Sequence, residues 1–347
     1  MQKRRMQTNL VLFRVCLFIA AILLSAALMG CEAAGAGEGS DEDTAQEDGN
    51  GDSDDGAGDG GSNGDDTGGD SDGSEAAYIA MVSKAPANVH QYWQQVQAGA
   101  ISAGNELGAT VTYDGPTHEQ GEAYQATILD NVLANDPDAI ALATLDTSLV
   151  LDQIGEAQDR DIPIVGFDSG VPNAPAGAVS ATASTDNVAA GALAAEKVFA
   201  EVSSALGAAT AGEPARIALL NIDPTVPSVA NRAEGFRDRM VELITNDTSL
   251  DSSNISVVAG DESQSLIDDD TPVSGESVFI EMLASDSFAE EDADTLGSEV
   301  VARVESDNIV AIFCTNEGTA NGLLRATDDG ADLPDYSGLA VVGFDAG

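Results

Sequence analysis

Short apolar runs recur along the chain from residue 77, separated by stretches in which apolar residues return every three or four positions. AYIAMVS (77–83) is the first run. After it Val89, Trp93, Val96, Ala100, Ala103 and Leu107 mark one face of a helix over 89–107, which Gly108 ends. ATVTYDG (109–115), a polar helix near 119–134, AIALATLD (139–146), a helix near 148–159 and IPIVGFD (162–168) continue the alternation. Apolar runs followed by amphipathic helices predict βαβ units, with parallel strands buried on both faces.

The alternation then restarts. AVSATASTDN leads into a helix with Val188, Ala192, Ala195, Phe199 and Val202 on one face. RIALLNID, a helix around 228–245, ISVVAG, a helical segment around 276–284, IVAIFCTNE, a helix at 319–328 and LAVVGFD follow, with SDSFAEEDADTLGSE (285–299) expected as a surface insertion. Two βα series, 76–177 and 178–347, predict an α/β protein of two Rossmann-like lobes with parallel sheets. Ligands of open α/β sheets gather at the carboxyl ends of the strands. The repeated pentapeptides GFDSG (166–170) and GFDAG (343–347) put Asp168 and Asp345 at two such ends. Lobes that face one another would bring both aspartates to one cleft.

Before residue 76 the pattern is different. MQKRR followed by a long apolar stretch reads as an export signal over 1–30, and Leu28-Met29-Gly30-Cys31 resembles the lipobox of lipoproteins, which makes Cys31 the expected lipidation site. A membrane anchor that is kept is the alternative, since the stretch is long enough to be considered one. Residues 32–75 hold Gly, Ser, Ala and acids with no aromatic or large aliphatic residue, so they predict a disordered, self-repelling linker. Its DSDDGAGDG piece lacks the ligand spacing of a calcium loop.

Charge and motifs narrow the function. Residues 76–347 carry 44 Asp and Glu against 9 Lys and Arg. Such a surface argues against nucleic acid, which needs a basic face, and suits a saline habitat that screens the self-repulsion. Cys16 lies in the signal and Cys314 in an apolar run, so no internal disulfide is expected and Cys314 reads as a core residue. The chain has no GxxxxGK[ST], GxSxG, CxxC or HExxH; His118 opens HEQGE, without the second histidine. A non-catalytic protein without metal or cofactor is the expectation.

Several segments in order resemble the ribose/galactose-type periplasmic sugar-binding family, the substrate-binding lipoproteins of ABC importers. They are HQYWQQVQAGAISAGNELGATV (90–111), DAIALATLD (138–146), IPIVGFDSG (162–170), STDNVAAGALAAE (184–196), NRAEGFRDRM (231–240), FCTNEGTANGLLRA (313–326) and VVGFDAG (341–347). The resemblance implies a type I periplasmic binding fold in which two lobes close on a sugar or polyol. Carried over by motif, it implies ligand contacts from His90, where the family often has Asn, and from Tyr92, Trp93, Asp168, Asp186, Arg232, Asn316 and Asp345. Four have a plainer alternative: Trp93 in the apolar stripe of its helix, Asp186 and Asn316 as helix caps, Arg232 in a surface ion pair.

Ser169 stands where pentose binders of the family often have Arg, which weakens a ribose assignment. The family also continues past VVGFD with a strand and final helices that complete the first lobe, so the expectation is either a fragment or an incomplete first lobe. The implied protein is an exported, lipid-anchored monomer that delivers a sugar to an ABC permease. A sensory receptor presenting a sugar or autoinducer to a chemoreceptor or histidine kinase is the alternative. The effector domain of a LacI-type repressor shares the fold, but export and the lack of a basic segment argue against it.

Overall fold

The computed structural model of the protein describes residues 76–285, 290–333, 336 and 338–345. The expected signal over 1–30, Cys31 and the linker to residue 75 lie outside them, as do Ala346 and Gly347.

The first lobe is one parallel sheet in the order β2-β1-β3-β4-β5. Its strands are β1 (Ala77–Val82), β2 (Ala109–Asp114), β3 (Ala139–Leu142), β4 (Ile164–Phe167) and β5 (Val179–Ala183). Helices α1 (Gln91–Leu107), α2 (Tyr124–Ala134) and α3 (Leu151–Asp159) connect them. Successive strand side chains point to opposite faces. Ile79, Met81, Ala141 and Val165 therefore pack with Trp93 and Ala100 of α1, while Ala80, Val82, Ile140 and Ile164 pack with Leu129 and Ile154 of α2 and α3. Unbroken apolar runs appear in the sequence because both faces are covered.

The second lobe repeats this plan in the order β10-β9-β6-β8-β7, again all parallel. Its strands are β6 (Ala215–Asn221), β7 (Ile255–Ala259), β8 (Val278–Ala284), β9 (Ile309–Cys314) and β10 (Ala340–Gly343). Helices α4 (Asn187–Ala208) and α5 (Pro227–Asp247) cover one face, and α6 (Glu290–Val301) and α7 (Glu317–Ala326) the other. Gly191 of α4 and Gly235 of α5 let these helices touch backbone to backbone. A Cβ at Gly191 would lie 2.0 Å from the Arg232 carbonyl oxygen, and one at Gly235 2.1 Å from that of Val188. Cys314 is a buried free thiol of this core, pushed up to about 12 by burial.

The structure changes three sequence expectations. Residues 179–183, assigned above to the second lobe, pair with β4 as the edge of the first sheet, so the chain passes between lobes at 184–186. The segment around 276–284 is not helical but the strand β8, lying between β6 and β7. Glu281 interrupts its apolar run; the fold buries that carboxylate and pairs it with Arg216 at 2.6 Å and Arg303 at 2.8 Å. The expected surface insertion holds helix α6, whose Ala293, Leu296 and Val300 are buried, the last two in a core cluster with Leu323 of α7.

Candidate ligand-binding site

The carboxyl ends of β1, β4, β6 and β9 and the starts of the following helices surround a cavity of ≈ 370 Å³. Residues of both lobes line it. Volumes of about 300–1,000 Å³ are usual for small-molecule sites. The lobes also touch through an apolar cluster that joins Leu145 of the first to Ile222, Val226 and Val229 of the second.

Asp168 follows β4 in the left-handed region (φ 53°), a conformation that Asp tolerates better than most residues. The Gly170 N–H donates to the Phe167 carbonyl at 2.7 Å, and the Ser184 hydroxyl donates to the Asp168 carbonyl at 2.5 Å, which ties the turn to the inter-lobe crossing. One carboxylate oxygen of Asp168 lies 2.5 Å from Lys84 Nζ, and the other accepts from the Tyr92 hydroxyl at 3.0 Å. Burial opposes ionisation here, but Lys84, then Arg232 and the Tyr92 bond outweigh it and hold the carboxyl below its ordinary value. Burial pushes the Tyr92 phenol well up, and the charge of Asp168 adds to it.

Asp345 follows β10 in the same backbone region (φ 60°). It accepts from Arg232 Nη1 at 3.1 Å. Arg232 is buried on α5; its Nε donates to Asn187 Oδ1 at 2.8 Å, its Nη1 also donates to the Thr315 carbonyl at 2.9 Å, and its guanidinium lies 3.7 Å from the Phe344 ring centre. For Asp345 burial is the larger influence, and the pull of Arg232 is opposed by Asp168, so its carboxyl is raised.

Two further polar contacts cross the cleft. Lys84 Nζ donates to Ser228 Oγ at 3.1 Å. The Tyr92 backbone N–H, in the first turn of α1, donates to Glu317 Oε2 at 3.1 Å. His90, the residue before α1, offers no side-chain cap, so a carboxylate of the opposite lobe satisfies a donor that the helix leaves open.

Seven of the eight side chains named from the sequence line the cavity: His90, Tyr92, Trp93, Asp168, Arg232, Asn316 and Asp345. Trp93 does two jobs, because it is also buried in the core beneath α1 and meets Tyr92 edge-on with ring centres 4.8 Å apart. Asn316 caps α7, accepting from the Thr319 N–H at 3.2 Å, and still borders the cavity. Asp186 is the exception. It is exposed and caps α4 through the Ala189 N–H at 3.0 Å, and its neighbour Asn187 is the residue that reaches inward to hold Arg232.

Lys84, Glu122, Asp223, Ser228 and Glu317 also line the cavity and were missed. Lys84 and Asp223 follow β1 and β6 by two residues, so the strand-end rule that found Asp168 and Asp345 applies to them too.

The periplasmic binding protein domain family matches residues 79–347. A solved structure titled an ABC transporter, LacI family transcriptional regulator, from Brachyspira murdochii is 31% identical, covers 78% of each chain and superposes with a TM-score of 0.58. An ABC transporter solute-binding protein from Agrobacterium vitis, with bound D-fucose, is 25% identical over 78% of this chain and 77% of its own, with a TM-score of 0.58. A carbohydrate transporter solute-binding protein from Agrobacterium radiobacter, in complex with D-arabinose, shares the fold at 24% identity over 78% and 76%, with a TM-score of 0.55. On the extent of these matches and the two parallel-sheet lobes, the chain belongs to the periplasmic binding protein family, the substrate-binding proteins of ABC transporters.

Proposed function

We propose that the protein captures a sugar or related polyol in the inter-lobe cavity by hinge closure and presents it to an ABC permease. One observation carries the reading: in a single cavity, Tyr92 and Trp93 offer aromatic surface while Asp168, Asp345, Arg232 and Asn316 offer acceptors and donors from both lobes. The C–H faces of a sugar pack on rings, and its hydroxyls donate to carboxylates and accept from guanidinium and amide groups. Contacts from both lobes favour the closed arrangement and supply the differential affinity that closure needs. The expected lipidation of Cys31 and the acidic linker would tether this domain outside the membrane within reach of its permease.

The test is a thermal-shift screen of the full-length protein in molar salt, with D-fucose as first probe beside other sugars, polyols, amino acids and peptides. A sugar at about 100 times its Kd stabilises by about 2.7 kcal/mol, which raises the melting temperature by several degrees. Asp168→Ala removes the shift. A response to amino acids or peptides, with none to any carbohydrate, overturns the reading.

A further inference from the structure

Charge in the cavity does not balance. Five carboxylates line it, those of Glu122, Asp168, Asp223, Glu317 and Asp345, against two fixed cations, Lys84 and Arg232. Both cations are engaged: Lys84 pairs with Asp168 and lies 5.8 Å from the Trp93 ring centre, and Arg232 pairs with Asp345. Glu317 has a partner of another kind, the Tyr92 N–H at the start of α1. Glu122 and Asp223 form no ion pair among the described residues.

Asp223 is the sharper case. It is 6% exposed and follows β6 of the second lobe by two residues. Both bonds it accepts, from the Thr225 N–H at 2.9 Å and the Thr225 hydroxyl at 2.6 Å, fall on Oδ1. No amide, alcohol or cationic group of the described residues donates to Oδ2, although the side chain borders the cavity. Glu122, half-buried in the turn before α2, borders it from the first lobe and receives no such donor either. Among the described residues no group of three His, Cys, Asp or Glu is placed to hold a metal ion. A carboxylate removed from water without a counter-charge is costly, and a ligand that brings one recovers that cost on binding. Sugar hydroxyls donate hydrogen bonds but bring no charge.

We propose that the ligand carries a protonated amine, as an amino sugar does, and that its ammonium group is held by Asp223 and Glu122. This rests on the carbohydrate-binding reading above and narrows it. An ammonium has three donors and no acceptor, which suits one carboxylate from each side of a cleft. Because Glu122 belongs to the first lobe and Asp223 to the second, the ammonium also adds to the contacts that favour closure.

Calorimetric titration of the full-length protein in molar salt at about pH 7 tests this. It compares D-glucosamine, D-galactosamine and D-mannosamine, each beside its parent sugar and its N-acetyl derivative; a buried pair is screened by salt far less than a surface one. One amino sugar should bind about tenfold to a hundredfold more tightly than its parent, the range of a charge-assisted bond. Its N-acetyl derivative, which keeps the nitrogen without the charge, should lose that advantage. Asp223→Asn keeps an acceptor for Thr225 and tolerates the positive φ of 25°. It and Glu122→Gln should each bring the ratio of affinities toward one. The acidic exterior attracts any amine, and neither substitution alters that background, so a ratio that persists in both variants overturns the inference. So does a ratio of one or less in the unsubstituted protein, or a neutral sugar that binds where no amino sugar does; the carbohydrate reading then stands. If no carbohydrate binds, charged or neutral, that reading fails and this inference with it.

Discussion

The turns after β4 and β10 share the residues Gly-Phe-Asp and a left-handed aspartate, yet their carboxylates behave in opposite ways. Asp168 meets Lys84 at 2.5 Å and also receives the Tyr92 hydroxyl. These partners outweigh its burial and keep it ionised below the ordinary carboxylate range. Asp345 faces an arginine that is shared with Asn187 and the Thr315 carbonyl, and it lies in the field of Asp168. Burial then wins and its carboxyl is raised. One motif thus delivers two electrostatic outcomes, because partner geometry rather than the motif sets the charge balance.

Substitutions can break this comparison. The largest effect belongs to Asp168→Ala, which strands the buried Lys84 ammonium: about 3–5 kcal/mol of stability should be lost in urea unfolding, together with the ligand-induced thermal shift. Tyr92→Phe removes one hydrogen bond to that charged carboxylate and should cost about 1.5–3 kcal/mol. Asp345→Asn should cost about 1 kcal/mol or less in the same experiment, since Arg232 keeps two other acceptors. A loss from Asp345→Asn as large as that from Asp168→Ala would erase the asymmetry.

The smallest effect is in the pH dependence of the melting temperature, compared between Asp168→Asn and Asp345→Asn. The depressed Asp168 contributes stability that is present above its unfolded value of about 3.9 and lost as pH falls through its lower folded value. The raised Asp345 acts in the opposite sense: its contribution is present below about 3.9 and lost as pH rises through its folded value. Asp168→Asn should therefore flatten the acid limb, and Asp345→Asn should flatten the decline above it. Curves of the same slope for both variants would contradict the opposed directions.

The strand-end rule brought Asp168 and Asp345 to the cavity because a charged residue that closes an unbroken apolar run is a local signal. Lys84 and Asp223 close apolar runs in the same way, but neither belongs to a repeated segment such as GFDSG and GFDAG. Asp186 misled for the opposite reason. Its position before a helix and its place in a ligand-bearing segment are the same letters, and only the fold turns Asn187 inward while leaving Asp186 as a cap. Strand β8 was hidden by Glu281, whose compensation by Arg216 and Arg303 comes from 65 and 22 residues away and leaves no mark in the local pattern.

Periodicity alone determined the α/β class, the two series of βα units and the parallel sheets, because two-sided burial and amphipathic helices are written within windows of ten or twenty residues. Tertiary structure decided which sheet claims residues 179–183 and which cation Asp168 and Asp345 each keep. Those outcomes depend on the distance between groups far apart in sequence and on the water excluded between them. Coulomb energy and desolvation are set by these two quantities and by nothing that a local window contains.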